Sequence, residues 1–263
     1  VTARVYAIVL NTFREAIRNK ILYGILAAVV LWNAFAMVLG AMSLSEEARI
    51  ARDVGLAGVS LFGAVTAIVL GVSLLYTEIQ KRTIHVVLAK PIWRHEFVLG
   101  KYLGMAVTLT LLVAAFAAAL AGLLGAADVP FDANVAKAVT LGWLEVMLVA
   151  AIAVFFSSFS TPFLSGLFTF ALFFIGRSSK ELEYAANKAK DPVLSAIGKA
   201  ALYVVPDLHI FQISGSEVGG KAVSVHASFV GWDYVGQAAL YAGAVIGILL
   251  ILAVLIFSRR DFA

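Results

Sequence analysis

Six apolar segments, at about residues 21–42, 54–76, 102–127, 138–158, 162–176 and 236–257, constrain this chain more than any other feature. A helix rises about 1.5 Å per residue, so about 20 residues cross a hydrocarbon core of about 30 Å. Most of the six reach that length. No water is present at that depth to bond backbone N–H and C=O groups, and a helix satisfies them within the segment itself. The pattern predicts an all-α integral membrane protein with six transmembrane helices. A composition of 62% apolar and 14% charged residues lies outside the range of soluble domains.

The fifth segment is short, and only Phe159, Ser160 and Thr161 separate the fourth from Pro162. A tight uncharged turn over Ser157 to Pro162 fits this spacing, as does a re-entrant pair. Beyond it, residues 177–235 form the longest extramembrane piece. There Asp191-Pro192 reads as a helix cap followed by proline in the first turn, opening a helix that runs to Val204 before Pro206 ends it. Val223, Val225, Ala227 and Phe229 alternate as in a short strand. Trp232 and Tyr234 stand where an interfacial aromatic belt precedes the last span.

Charge then sets the topology. Arg4, Arg14, Arg18 and Lys20, the basic residues between the second and third segments, and Arg259 and Arg260 outweigh Glu15, Glu78, Glu96 and Asp261, giving one side a net +7. The opposite side nets −2, and Glu145 within the fourth segment completes the overall +4. Basic residues accumulate on the cytoplasmic side, so the N- and C-termini are both cytoplasmic. Over residues 2–19, Arg4, Arg14 and Arg18 recur near whole helical turns, with Val5, Ile8, Val9, Phe13 and Ile17 elsewhere on the wheel. This makes 1–20 an interfacial N-terminal helix in contact with membrane lipid, and 21–263 the six-span domain. The N-terminus lacks the small-residue cleavage site of a removable signal peptide.

The chemistry that the residues support is narrow. The chain contains no cysteine, which removes disulfides, thiolate metal sites and thiol nucleophiles. Its positive charge follows topology and is not pooled on one nucleic-acid-binding face. Neither Gly100-Lys101 nor Gly220-Lys221 completes a phosphate-cradling loop, so ATP hydrolysis is not expected here. His95-Glu96 lacks the second histidine of a metalloprotease helix. No catalytic, cofactor-binding or metal-binding residue is assigned. Glu145 is the ionisable residue well inside a span. Such a carboxylate faces a bundle interior or a wet path, with Lys137 or a second protomer as its candidate partner. Gly55, Gly58, Gly63 and Gly71 in the second segment permit close helix approach and suggest packing within a dimer.

The connection from Tyr76 to Lys101 is the element through which the cytosol reaches the membrane part. Residues 77–89 can be drawn as a short amphipathic helix, which Lys90-Pro91 ends. The order Glu78, Lys81-Arg82, Thr83, Leu88, Pro91, Arg94 and Gly100-Lys101 resembles the cytoplasmic loop of type-2 ABC export permeases. The stretches FREAIRNK (Phe13 to Lys20) and FSRRDF (Phe257 to Phe262) are similar to that family's termini. Within the family, size and termini look most like permeases of the NosY type and those linked with gliding motility.

The resemblance implies a multi-pass protein of the bacterial inner (cytoplasmic) membrane, paired with a second copy of itself. It further implies two copies of a separate ABC ATPase subunit, which binds ATP and Mg, and leaves room for a periplasmic accessory protein. Loop 77–101 would then be the coupling loop, with Glu78, Lys81, Arg82, Thr83 and His85 as ATPase contacts and Ile84, Val87 and Leu88 as anchors. The function implied is coupling of ATP hydrolysis to export or to conformational signalling across the membrane. The competing reading, an ion-gradient-driven secondary transporter, requires convergent polar residues at mid-membrane, and Glu145 is the main candidate for that role.

Overall fold

The computed structural model describes residues 2–42, 47–80, 93–126, 129, 131–189, 191–212, 216–218, 221–223 and 231–259. Within them the chain is almost entirely helical. Helix α1 (Thr2–Ile17) is joined through Arg18 and Asn19 to α2 (Lys20–Ala41). The Asn19 side chain accepts the Ile21 N–H at 3.0 Å and starts α2. Helices α3 (Glu47–Gln80) and α4 (Arg94–Ala126) are the longest, and α5 (Ala133–Ser157) follows after Asp132 accepts the Val135 N–H. Then come α6 (Pro162–Arg177), α7 (Ser179–Lys188) and α8 (Pro192–Val204), a 3₁₀ turn at His209–Phe211, and a last helix, α9 (Trp232–Ser258). Strands β1 (Ser216–Val218) and β2 (Lys221–Val223) form a small antiparallel hairpin with Glu217 opposite Ala222. Val223 alone of the alternating 223–229 pattern falls in a strand; the rest lies outside the described residues.

Helix α5 is the centre of the bundle. It packs against α3, α4, α6 and α9, and Val146, Leu148, Val149, Ala150, Ala151 and Ala153 are fully enclosed. A helix apolar all round its surface is stable only where neighbours or lipid surround it. On α3, a stripe of small residues (Ser60, Gly63, Ala64, Ala67, Gly71) meets α5 face on. A Cβ at Gly63 would lie 2.5 Å from Val146 Cγ2, and one at Gly71 would lie 2.5 Å from Ala153 Cβ. The glycines of α3 thus face neighbours in their own chain, and the dimer reading of them is corrected: Gly58 meets Trp32 and Gly55 meets Leu120 in the same way.

Among the described residues, five helices are long and apolar enough to span a bilayer: Lys20–Ala41, Ile50–Ser73 within α3, Arg94–Ala126, Ala133–Ser157 and Trp232–Ser258. A sixth is counted if α6 and α7, which meet at a 69° bend, are taken as one broken span. Alone, the 16 residues of α6 rise only about 24 Å, less than a hydrocarbon core. The chain thus bends after Arg177, at the end of an apolar helix shorter than the hydrocarbon core is thick.

The first two turns of α4 correct another expectation. Arg94 to Lys101, read as loop because it is charged, is helical and packed. Glu96 folds back to accept the Trp93 N–H at 3.2 Å, and Phe97 stacks on Phe257 of α9 at 5.8 Å. The Arg94 guanidinium donates to the terminal carbonyls of α9, Phe257 at 3.2 Å and Ser258 at 2.7 Å, where a helix exposes unpaired acceptors. Lys101 pairs with Glu15 of α1 at 3.4 Å.

Candidate functional site

Three polar side chains from three helices converge inside the bundle. Glu145 is the middle residue of α5, with as many residues before it as after it. Its carboxylate is 1% exposed. Arg177, the last residue of α6, donates from Nη1 to Glu145 Oε1 at 2.9 Å and to Ser60 Oγ at 2.6 Å. Ser60, on the small-residue stripe of α3, donates in turn to Glu145 Oε2. Each carboxylate oxygen thus has a donor. A charge buried this deeply is tolerated only when paired and hydrogen-bonded.

The geometry follows from local structure. The Gly63 and Gly71 contacts bring α3 against α5 closely enough for Ser60 to touch Glu145. The bend after α6 turns the chain away while leaving Arg177 directed inward, over the Phe173 ring at 5.9 Å. That bend is held from outside. Gly176 accepts the Leu208 N–H at 3.0 Å, and a Cβ there would lie 2.6 Å from the Pro206 carbonyl oxygen. Gln212 Nε2 donates to the Arg177 carbonyl at 3.1 Å. Asp207 accepts from Ser179 Oγ at 2.6 Å and from the His209 N–H at 3.0 Å, and its own N–H donates to Tyr241 Oη of α9 at 2.8 Å.

Lys137 is therefore not the partner of Glu145; it lies over the Trp232 ring at 5.7 Å. With the fourth apolar segment beginning at about residue 138, Glu145 would stand only about two helical turns from its start. The Asp132 cap starts the helix five residues earlier and moves Glu145 to its centre. Two members of the site, Ser60 and Arg177, went unnamed. The signals were present: Arg177 closes an apolar run too short to span, and Ser60 continues the small-residue stripe of α3. Of the cytoplasmic candidates, Glu78 falls in the last turn of α3. Lys81, Arg82, Thr83, Ile84, His85, Val87 and Leu88 lie outside the described residues.

A family model described as ABC-2 family transporter protein matches residues 6–262. The chain belongs to the ABC-2 transporter family. Among curated proteins none gives a significant match. As an ABC-2 permease the chain is a multi-pass membrane protein, and membership implies an ABC ATPase as partner. In this permease the Ser60–Glu145–Arg177 site links α3, which leads into the stretch before Trp93, to α5 and to the bend of the broken α6–α7 unit. No atom of the trio is poised as a nucleophile; the arrangement is a charge-assisted clamp.

Proposed function

We propose that this permease is the membrane half of an ABC exporter or of a related force-transmitting machine, taking its energy from a separate ATPase. Family membership over residues 6–262 is the observation that carries the reading. The ATPase, in two copies, would bind ATP and Mg and seat on the segment following α3, with Glu78, Lys81, Arg82, Thr83 and His85 as contacts and Ile84, Val87 and Leu88 as anchors. Nucleotide binding shifts the permease between conformations only if the ATPase grips the two unequally. The unbroken helix α3 supports this route, because its middle carries Ser60 and the stripe against α5. A displacement at the cytoplasmic end of α3 is thus passed to the Glu145 clamp and to the bend at Arg177.

A second copy of the permease is part of the proposal. Phe163, Leu167, Phe170 and Phe174 form an outward apolar face of α6, flanking a groove of about 540 Å³ against Ile68, Val69 and Val72 of α3. Aromatic and small residues at such a groove suit helix-to-helix packing in lipid. The bacterial inner membrane as location, and a periplasmic partner meeting the α7–α8 region, complete the reading.

The test is co-purification with the cognate ATPase and measurement of its nucleotide hydrolysis. Charge reversal of the pair Glu78→Lys and Arg82→Glu is expected to release the ATPase or to uncouple hydrolysis from the permease. Full retention of binding and coupling refutes the docking assignment. Vectorial transport by the permease alone in vesicles overturns the whole reading.

A further inference from the structure

The junction of α1, α2 and α4 carries a feature that the transport reading leaves unused. Helix α1 runs alongside α4, with Ile8 against Gly100 and Thr12 against Gly104. Where α1 ends and α2 enters its apolar run, a cleft of about 140 Å³ opens among Phe13 and Ile17 of α1, Leu22 and Leu26 of α2, and Thr108 to Ala115 of α4. The lining is apolar apart from Thr108, whose hydroxyl is already spent on the Gly104 carbonyl at 3.0 Å. Arg14 and Arg18 directly follow the lining residues Phe13 and Ile17, Lys20 stands two residues before Leu22, and all three are exposed. None of the three side chains makes an ion pair among the described residues. The nearby acid Glu15 is engaged by Lys101.

We propose that this junction is a binding site for an anionic phospholipid, with the phosphate held by Arg14, Arg18 and Lys20 and an acyl chain lying in the cleft behind Phe13 and Ile17. Charge and shape select this occupant together. An anionic headgroup matches an exposed basic cluster, and arginine binds phosphate oxygens with two parallel N–H donors. The cleft starts at the first two turns of a membrane-spanning helix, the depth at which a headgroup gives way to its hydrocarbon tail. Exposed Ile17, Ile21 and Tyr23 beside the charges fit an interface where apolar surface and basic residues meet lipid. The reading needs neither the ATPase partner nor any substrate.

The test compares lipid retention by purified permease released from nanodiscs of phosphatidylcholine with a minority of phosphatidylglycerol, read by native mass spectrometry. The wild-type chain is expected to retain phosphatidylglycerol in preference. Replacing Arg14, Arg18 and Lys20 with Gln lowers that preference by about fivefold per charge removed. All three are exposed, so thermal unfolding in phosphatidylcholine alone should stay unchanged, which establishes that the variant is folded. Leu111→Trp, which fills the cleft from an exposed position, should weaken retention while leaving the basic cluster intact. An unchanged preference in the charge variant overturns the proposal. Displacement of the lipid by soluble glycerol phosphate at equal concentration does so too, and reduces the site to an anion patch open to an acidic protein surface.

Discussion

Arg177 joins α6 to Glu145 of α5: its guanidinium sits 2.9 Å from a carboxylate at the midpoint of α5, while its own backbone ends α6. The two partners are not equally enclosed. The Glu145 side chain is 1% exposed and that of Arg177 is 31% exposed. Removing either leaves the other without its counter-charge, but Arg177 retains access to the surface and Glu145 does not. Breaking a buried pair costs about 3–5 kcal/mol when the remaining charge stays buried. Arg177→Gln should therefore lower the temperature of half-unfolding in detergent more than Glu145→Gln. The double variant should recover much of the loss. Equal effects of the two single changes would show that the pair is solvated to the same degree on both sides.

Packing of α3 on α5 makes a second, sharper prediction. A methyl at Gly63 meets one atom too closely, Val146 Cγ2 at 2.5 Å, while the other Val146 side-chain atoms lie 3.8 Å away. Gly63→Ala should destabilise by about 1–3 kcal/mol, as overpacking does. Because a single methyl is responsible, Val146→Ala in the same chain should restore most of the stability. Thermal unfolding of the two single variants and the double variant measures this coupling directly. Gly122, with open space around its ideal Cβ, is the control, and Gly122→Ala should leave stability unchanged or slightly raised.

How far the sequence foretold this arrangement depends on the range of the interaction. The Asp191-Pro192 start of α8 was legible because the carboxylate accepts an N–H only two residues away, that of Val193 at 2.9 Å. The shortness of the run ending at Arg177 was legible from residue count. What the count could not supply was the 69° bend, fixed by contacts of Gly176 with Leu208 and of Asp207 with Tyr241 that span tens of residues. Likewise Arg94, Glu96 and Lys101 looked like loop residues because hydropathy registers their charge. It does not register that Glu15 and the last carbonyls of α9 would receive two of them. The Glu145 site needed both pieces, a helix start five residues earlier than hydropathy implied and a turn that hydropathy cannot encode.

The seat of α1 on α4 yields a prediction about exposure. A Cβ at Gly104 would approach Thr12 Cβ to 2.6 Å and the Val9 carbonyl oxygen to 2.8 Å. The second of these is backbone and cannot rotate away. Gly104→Leu should push α1 off α4, breaking the Glu15–Lys101 pair with it. Tryptic cleavage after Arg14 and Arg18 should then speed up, since local opening governs such cleavage. Gly122→Leu provides the comparison. Unchanged cleavage of the Gly104 variant would mean that α1 is held by something other than this close approach.

The turn that braces the bend is also sensitive to acid. Burial of His209 drives its pKa below the ordinary value of 6.5, and the charge of Lys180 acts in the same direction; Arg177 adds to this, while Asp207 and Glu181 oppose it. The folded chain thus holds His209 neutral where the unfolded chain would take up a proton. Stability rises with pH wherever the unfolded state binds more protons. The contribution is constant above the unfolded value, about 6.5, and declines as pH falls from there toward the depressed folded value. Below that value both states are protonated and the slope vanishes. His209→Gln should flatten this decline, and the difference between the two unfolding profiles isolates His209, because the other titrating groups are common to both. If the profiles run parallel through the mildly acidic range, the imidazole is solvated in the folded protein and takes no part in the brace.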